Sequence, residues 1–170
     1  MKRIFIPMLI ISLVALAGCG APVRIFSDID NTGNFEQYRT YNFLDFTEGN
    51  QKTINQIELE RIRVAIAREL EKRGLDFMEE GADVSVQVTV YHREARDYFY
   101  GYPGAYNYME RAIAVDMYDN QTRKQVWHCA AVGELVYDPE KRAERLPEVA
   151  ARIFERYPVQ VISPDENPRL

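Results

Sequence analysis

The sequence predicts an α+β domain in which two helices pack on one face of an antiparallel sheet, in the order β-β-α-β-β-β-α. Three patterns carry that expectation. Val84, Val86, Val88 and Val90 alternate with Ser85, Gln87, Thr89 and Tyr91. One sheet face is therefore buried and the other is wet, whereas a parallel sheet covered on both sides would show continuous apolar runs. Ile113, Val115 and Met117 repeat the alternation, and after a polar turn over 119–124 a run over 126–135 returns as the second half of a hairpin. Leu59, Ile62, Ile66 and Leu70, with Ala65 beside them, line one face of a helix.

The chain opens on Lys2 and Arg3, then runs apolar from Ile4 to Ala17 apart from Ser12, with Pro7 inside, and closes on Leu16-Ala17-Gly18-Cys19. That is too short to cross a bilayer, which takes about 20 apolar residues, and Pro7 argues against a buried helix. It reads as a targeting segment, residues 1–18. The pattern resembles the lipobox of bacterial lipoproteins, which implies that Cys19 becomes an N-terminus carrying diacylglycerol. With two acyl chains at about 0.8 kcal/mol per buried methylene, such an anchor holds. Gly20 stands where that resemblance puts aspartate for inner-membrane retention, so the expected location is the outer membrane, facing the periplasm. Residues 19–22 are then the lipidated cysteine and a tether reaching about 10 Å.

Removing residues 1–18 takes away two positive charges and no negative one, moving the net charge from −5 to −7. That argues against nucleic acid or an anionic lipid surface as partner. The remaining 152 of 170 residues suit one domain, expected over 23–157, with a flexible, proline-containing tail over 158–170. Of two cysteines, acylation of Cys19 leaves Cys129 alone, expected as a small buried hydrophobe.

A strand is expected at 23–26 and a second at 40–46, the latter β-prone and aromatic. Between them Asp28, Asp30 and Gly33 imitate part of a calcium loop, but Arg39 occupies its twelfth position, so Asn31-Thr32-Gly33-Asn34 reads as a turn. Thr53 through Gln56 fits a capping box for the first helix, and Gly74 ends it. Glu58, Glu69 and Arg73 fall with the residues expected on its solvated face. The face of the return strand bearing Trp127, Cys129 and Ala131 is expected inward, since the other carries His128 and Glu134. Asp138-Pro139 looks like a helix start, yet Pro147 lies too deep for one unbroken helix, so the main helix is expected from Pro147, with Val149, Ala150, Ile153 and Tyr157 on one face.

Phe35, Tyr38, Thr40 and Tyr41 form a Phe-x-x-Tyr-x-Thr-Tyr opening; an Ala82-Asp83 pair precedes the alternating strand, and Val126-Trp127 begins the last one. Together these resemble small bacterial lipoproteins that carry a single domain of unknown function. Arg111 and Cys129 depart from that pattern, in which glycine is common at both places. The resemblance implies no catalytic residue.

Catalytic signatures are absent. His128 and Cys129 are strand neighbours and point to opposite faces, so they make no base–nucleophile pair. His92 reads as a solvated strand-end histidine, and no third ligand has metal-site spacing. There is no Gly-x-Ser-x-Gly, phosphate-binding loop or dinucleotide fingerprint. No cofactor is expected, and the protein is not expected to be an enzyme. Five of the eleven tyrosines, Tyr98, Tyr100, Tyr102, Tyr106 and Tyr108, crowd the connection between two strands with Gly101, Pro103 and Gly104. Tyrosine gives large contact area at low entropic cost, so this is the candidate partner-binding loop; a loop folded over its own sheet is the alternative. The expected function is a membrane-anchored envelope accessory or binding module with a membrane-proximal protein or ligand partner. An envelope hydrolase or a small-ligand or lipid carrier, which needs a cavity, stands as the alternative.

Overall fold

A computed structural model describes residues 23–45, 54–98 and 105–161. Six strands, β1 (Arg24–Ile29), β2 (Thr40–Phe43), β3 (Asp76–Phe77), β4 (Val84–Tyr98), β5 (Ala105–Asp119) and β6 (Gln125–Glu134), form one sheet in the order β1-β6-β5-β4-β2-β3. Helices α1 (Gln56–Glu71) and α2 (Pro139–Phe154) pack on it. The class is the expected α+β, with one strand more than the pattern suggested.

The sheet is mostly antiparallel, as expected, with a parallel edge that the sequence pattern did not announce: β2 runs parallel to both β3 and β4. The cause is local. Asp83, just before β4, accepts hydrogen bonds at Oδ2 from the backbone N–H of Arg39 (2.8 Å) and Thr40 (2.9 Å), while the Thr40 hydroxyl accepts from the Asp83 N–H at 2.9 Å. These bonds pin the two strand starts side by side, so both strands leave in one direction. The Arg39 N–H first, then Thr40, hold the Asp83 carboxyl below its ordinary range against a modest burial penalty.

The inner face follows the period-two pattern: Val84, Val86, Val88, Val90, Ile113, Val115, Met117, Trp127, Cys129 and Ala131 are all buried. Trp127 stacks obliquely on Phe154 at 5.2 Å and meets Tyr157 edge-on at 5.2 Å, joining β6 to α2. Phe35, Tyr38 and Tyr41 are buried in the same core.

The first helix is capped by Asn55, whose side chain accepts from the Glu58 N–H at 2.9 Å; Thr53, with which the expected capping box begins, lies outside the described residues. Gly74 does take the left-handed conformation, φ 82°, just beyond the helix end. Glu69 and Arg73 are buried rather than solvated. Arg73 Nη1 meets Glu69 Oε2 at 2.9 Å, and its Nη2 donates to the Phe154 carbonyl at 3.0 Å. The arginine is thus a clamp between the two helix ends.

The expectation that Pro147 opens the second helix is also corrected: α2 runs unbroken from Pro139 with Pro147 inside. Asp138 caps it, accepting from Glu140 and Lys141 N–H groups. Pro147 is exposed, so its lost N–H costs least there, while Leu146, Ala150 and Ile153 stay buried on the core side. The tail over 162–170, Cys19 and the segment before it lie outside the described residues, as do Tyr100 and Tyr102.

The register leaves one end of the central hairpin without a third strand. The ladder of β4 with β5 continues to Tyr98 opposite Ala105, whereas β5 and β6 pair only from Glu110 opposite Glu134. Five residue pairs therefore extend as a two-stranded arm, about 17 Å at 3.4 Å per residue. The tyrosine-rich connection is accordingly shorter than expected, since Tyr98, Tyr106 and Tyr108 belong to strands. β1 enters at Arg24, level with Val132, Ala112 and Tyr91 across the sheet, and runs away from the arm. Val23, where the described residues begin, thus stands at the end of the sheet from which the arm projects.

Candidate functional site

Strand parity places two polar side chains on the inner face at this arm end. His92 follows Val90 on β4 and Arg111 precedes Ile113 on β5; they are directly opposite one another. The first turns of both helices complete the group. Glu58 Oε1 accepts from Arg111 Nη1 at 2.7 Å and from Arg142 Nε at 2.8 Å, while Arg142 Nη2 reaches Glu58 Oε2 at 3.2 Å. Arg142 Nη1 also donates to the carbonyls of Val136 (2.8 Å) and Tyr137 (2.7 Å), tying α2 to the chain end leaving β6.

The electrostatics are those of two cations sharing one anion. Burial pushes the Glu58 carboxyl up, but hydrogen bonds and charge from Arg142 and Arg111 outweigh that and hold it below its usual range. Burial first, then the Arg111 charge, lower the His92 imidazole below 6.5. His92 Nε2 is enclosed and unpartnered among the described residues, correcting the expectation of a solvated histidine. Arg111, only 9% exposed, has Nε and Nη2 enclosed with no acceptor among the described residues. Arginine does not shed its proton even so.

Beside Arg111 is a cavity of about 60 Å³, room for a group of a few heavy atoms. Val23, Ile113, Ala131, Val136, Leu146 and Val149 form its apolar wall, Arg142, Arg145 and Glu134 its polar one. Gly133 faces Arg111 across the β5–β6 ladder, and its missing side chain helps leave the space open.

On the outer face at the same end, Glu110 is buried beneath Arg24 and Arg93, with Arg93 Nε donating to Oε2 at 2.7 Å and Arg24 bonded to Oε1. The Tyr108 hydroxyl donates to Oε1 at 3.2 Å, so this tyrosine of the candidate loop braces the base of the arm. Tyr98 and Tyr106 lie in the arm's strands. His128 contacts Asp116 on the outer face at 2.6 Å, whereas Cys129 is fully enclosed on the inner face, its Sγ 3.5 Å from the Ile153 carbonyl. His92 and His128 therefore occupy opposite faces and cannot share a metal. Among the described residues no three His, Cys, Asp or Glu side chains gather as a metal site, and no helix is long and apolar enough to cross a membrane.

Residues 25–159 match the model of a family described as a domain of unknown function, DUF4136. The chain belongs to that family. The DUF4136 domain takes in all six strands and both helices except the first residue of β1. No curated protein matches the sequence. Among solved structures, a PDZ domain protein from Parabacteroides distasonis is 15% identical with a TM-score of 0.56, over 84% of this chain and 38% of its own. This chain thus spans well under half of that protein. The PelC dodecamer from Paraburkholderia phytofirmans is 10% identical with a TM-score of 0.50, over 83% of this chain and 100% of its own. A minor lipoprotein from Acinetobacter baumannii is 9% identical with a TM-score of 0.40, over 70% and 91% of the two chains. At these identities the likeness to the first two is one of fold.

The sequence reading missed Arg111, His92, Glu58 and Arg142 as a group. A signal was there: Arg111 and His92 continue the inward stripes of their strands, where a polar residue is out of place unless it has partners.

Proposed function

We propose that this DUF4136 protein is a lipid-anchored binding module of the bacterial envelope, acylated at Cys19 and held close to the membrane, most simply the outer membrane on its periplasmic side. One observation carries the reading. The chain that would lead from the lipid enters at Val23, at the end of the sheet from which the β4–β5 arm projects. A tether of about 10 Å and an arm of about 17 Å, both at one end, would direct the tyrosine-rich connection toward the bilayer or a partner beside it. Tyrosine, with an apolar ring and a polar tip, suits such a boundary. The net charge of −7 after removal of residues 1–18 speaks for a protein partner over anionic lipid.

The anchor is tested by palmitate labelling in cells, which Cys19→Ala should abolish; labelling that survives the substitution would sink the lipoprotein reading. The arm is tested by crosslinking from its tip. Replacing Tyr100, Tyr102 and Tyr106 together by Ser should remove partner capture with little change in Tm. A lowered Tm, with loss of capture merely following it, would make the tyrosines a cover for their own sheet.

A further inference from the structure

We infer that Arg111 is the anchoring residue of a binding site for a carboxylate carried on a short apolar stem. This goes beyond the anchoring reading and does not depend on acylation at Cys19.

Three independent observations meet at one place. The first is an unmet recognition edge. Arg111 spends Nη1 on Glu58, and its Nε–H and Nη2–H find no acceptor among the described residues. Those two N–H groups leave one edge of the planar guanidinium in parallel, the fork that matches both oxygens of a carboxylate. The second is unbalanced charge. Glu58 is the shared partner of both Arg111 and Arg142, so the trio holds one positive charge in excess in a partly enclosed setting, where an added anion is favoured. On the cavity wall Arg145 and Glu134 carry opposite signs and do not change that excess.

The third observation is space. The cavity of about 60 Å³ takes Arg111 as part of its wall, directly beside the enclosed guanidinium. The remaining wall is largely aliphatic, from Val23, Ile113, Leu146 and Val149 among others. A planar monoanion with a few carbons satisfies the fork, the charge and the apolar wall together. A phosphate dianion would exceed the single positive charge in excess and set unpaired oxygens against the aliphatic wall. A free short-chain acid and the C-terminal carboxylate of a peptide share this chemistry.

The test is nitrogen-15 NMR of the arginine Nε–H signals in the protein solubilised in an uncharged detergent. Butyrate and N-acetyl-leucine are the two carboxylate probes, with butyramide and inorganic phosphate as comparisons. Butyrate or N-acetyl-leucine should shift the Arg111 signal saturably, and butyramide should not. The tighter of the two carboxylates assigns the source, a free acid for butyrate and a chain terminus for N-acetyl-leucine. Arg111→Lys, which keeps the charge and loses the planar fork, should weaken binding about tenfold or more. Arg111→Gln should remove saturable binding; should that variant not fold, the lysine variant decides alone. No saturable shift with either carboxylate, equal binding of butyramide, phosphate bound as tightly as butyrate, or unchanged affinity in Arg111→Lys would overturn the assignment.

Discussion

Arg111 on β5 and Glu58 in the first turn of α1 meet at 2.7 Å with both side chains largely enclosed. Because Glu58 also receives Arg142 from α2, one carboxylate joins the sheet to both helices.

Glu58→Gln should therefore destabilise the protein by about 3 kcal/mol, since it leaves two guanidinium groups without their counter-charge. Denaturant unfolding measures this. The pH dependence has a definite sign. The folded carboxyl sits below 4.5, so its contribution is complete above that pH and is lost as pH falls through the folded value. Wild type should lose Tm more steeply than Glu58→Gln in that acid range; parallel profiles would remove Glu58 from the account.

His92 should titrate below 6.5 when its ring signals are followed by NMR, because burial and then the Arg111 charge oppose its protonation. Its folded pKa is depressed, so the stability it contributes is full above 6.5 and declines as pH falls through the folded pKa. Arg111→Gln should move the titration upward. A midpoint that stays put in the variant would mean burial acts alone.

Val88→Asp should cost several kcal/mol, on the order of 3 or more, because the side chain is 6% exposed beneath the helices. Thr89→Asp, on the outer face, should cost less than about 1 kcal/mol. Thermal melts of the two variants compare neighbouring positions on one strand; similar losses would contradict the assigned facing.

Cys129 should resist thiol reagents in the native protein and react once it is unfolded. It is fully enclosed, and burial pushes its pKa up to about 11, so little thiolate forms near neutral pH. Cys129→Ala should keep the fold and any partner capture. Rapid labelling of the native protein would instead mark an accessible, reactive thiol.

The opening motif shows why some sequence signals translated well and others did not. Phe35, Tyr38 and Tyr41 read as aromatic and β-prone, and all three are buried. Thr40 looked like an ordinary strand residue, yet its exchange of hydrogen bonds with Asp83, 43 positions away, makes β2 parallel to β4. Pro147 misled in the opposite direction. The rule that proline breaks a helix interior is local, and the packing of Leu146, Ala150 and Ile153 on both sides of it overrode that rule.

By itself the sequence determined which residues face inward and where most elements lie. Period-two and helical spacing are set by backbone geometry within a few residues, so the valine stripe, the helix face of Leu59 to Leu70 and the inward Trp127 could all be read directly. Tertiary structure alone decided the strand order, the parallel placement of β2, the projecting arm and the gathering of His92, Arg111, Glu58 and Arg142. Those four come from four different elements, and charged residues carry no periodic mark of whom they will meet. Whether Glu58 faces water or two arginines depends on where distant chain segments are brought together, and that is an outcome of packing the whole core.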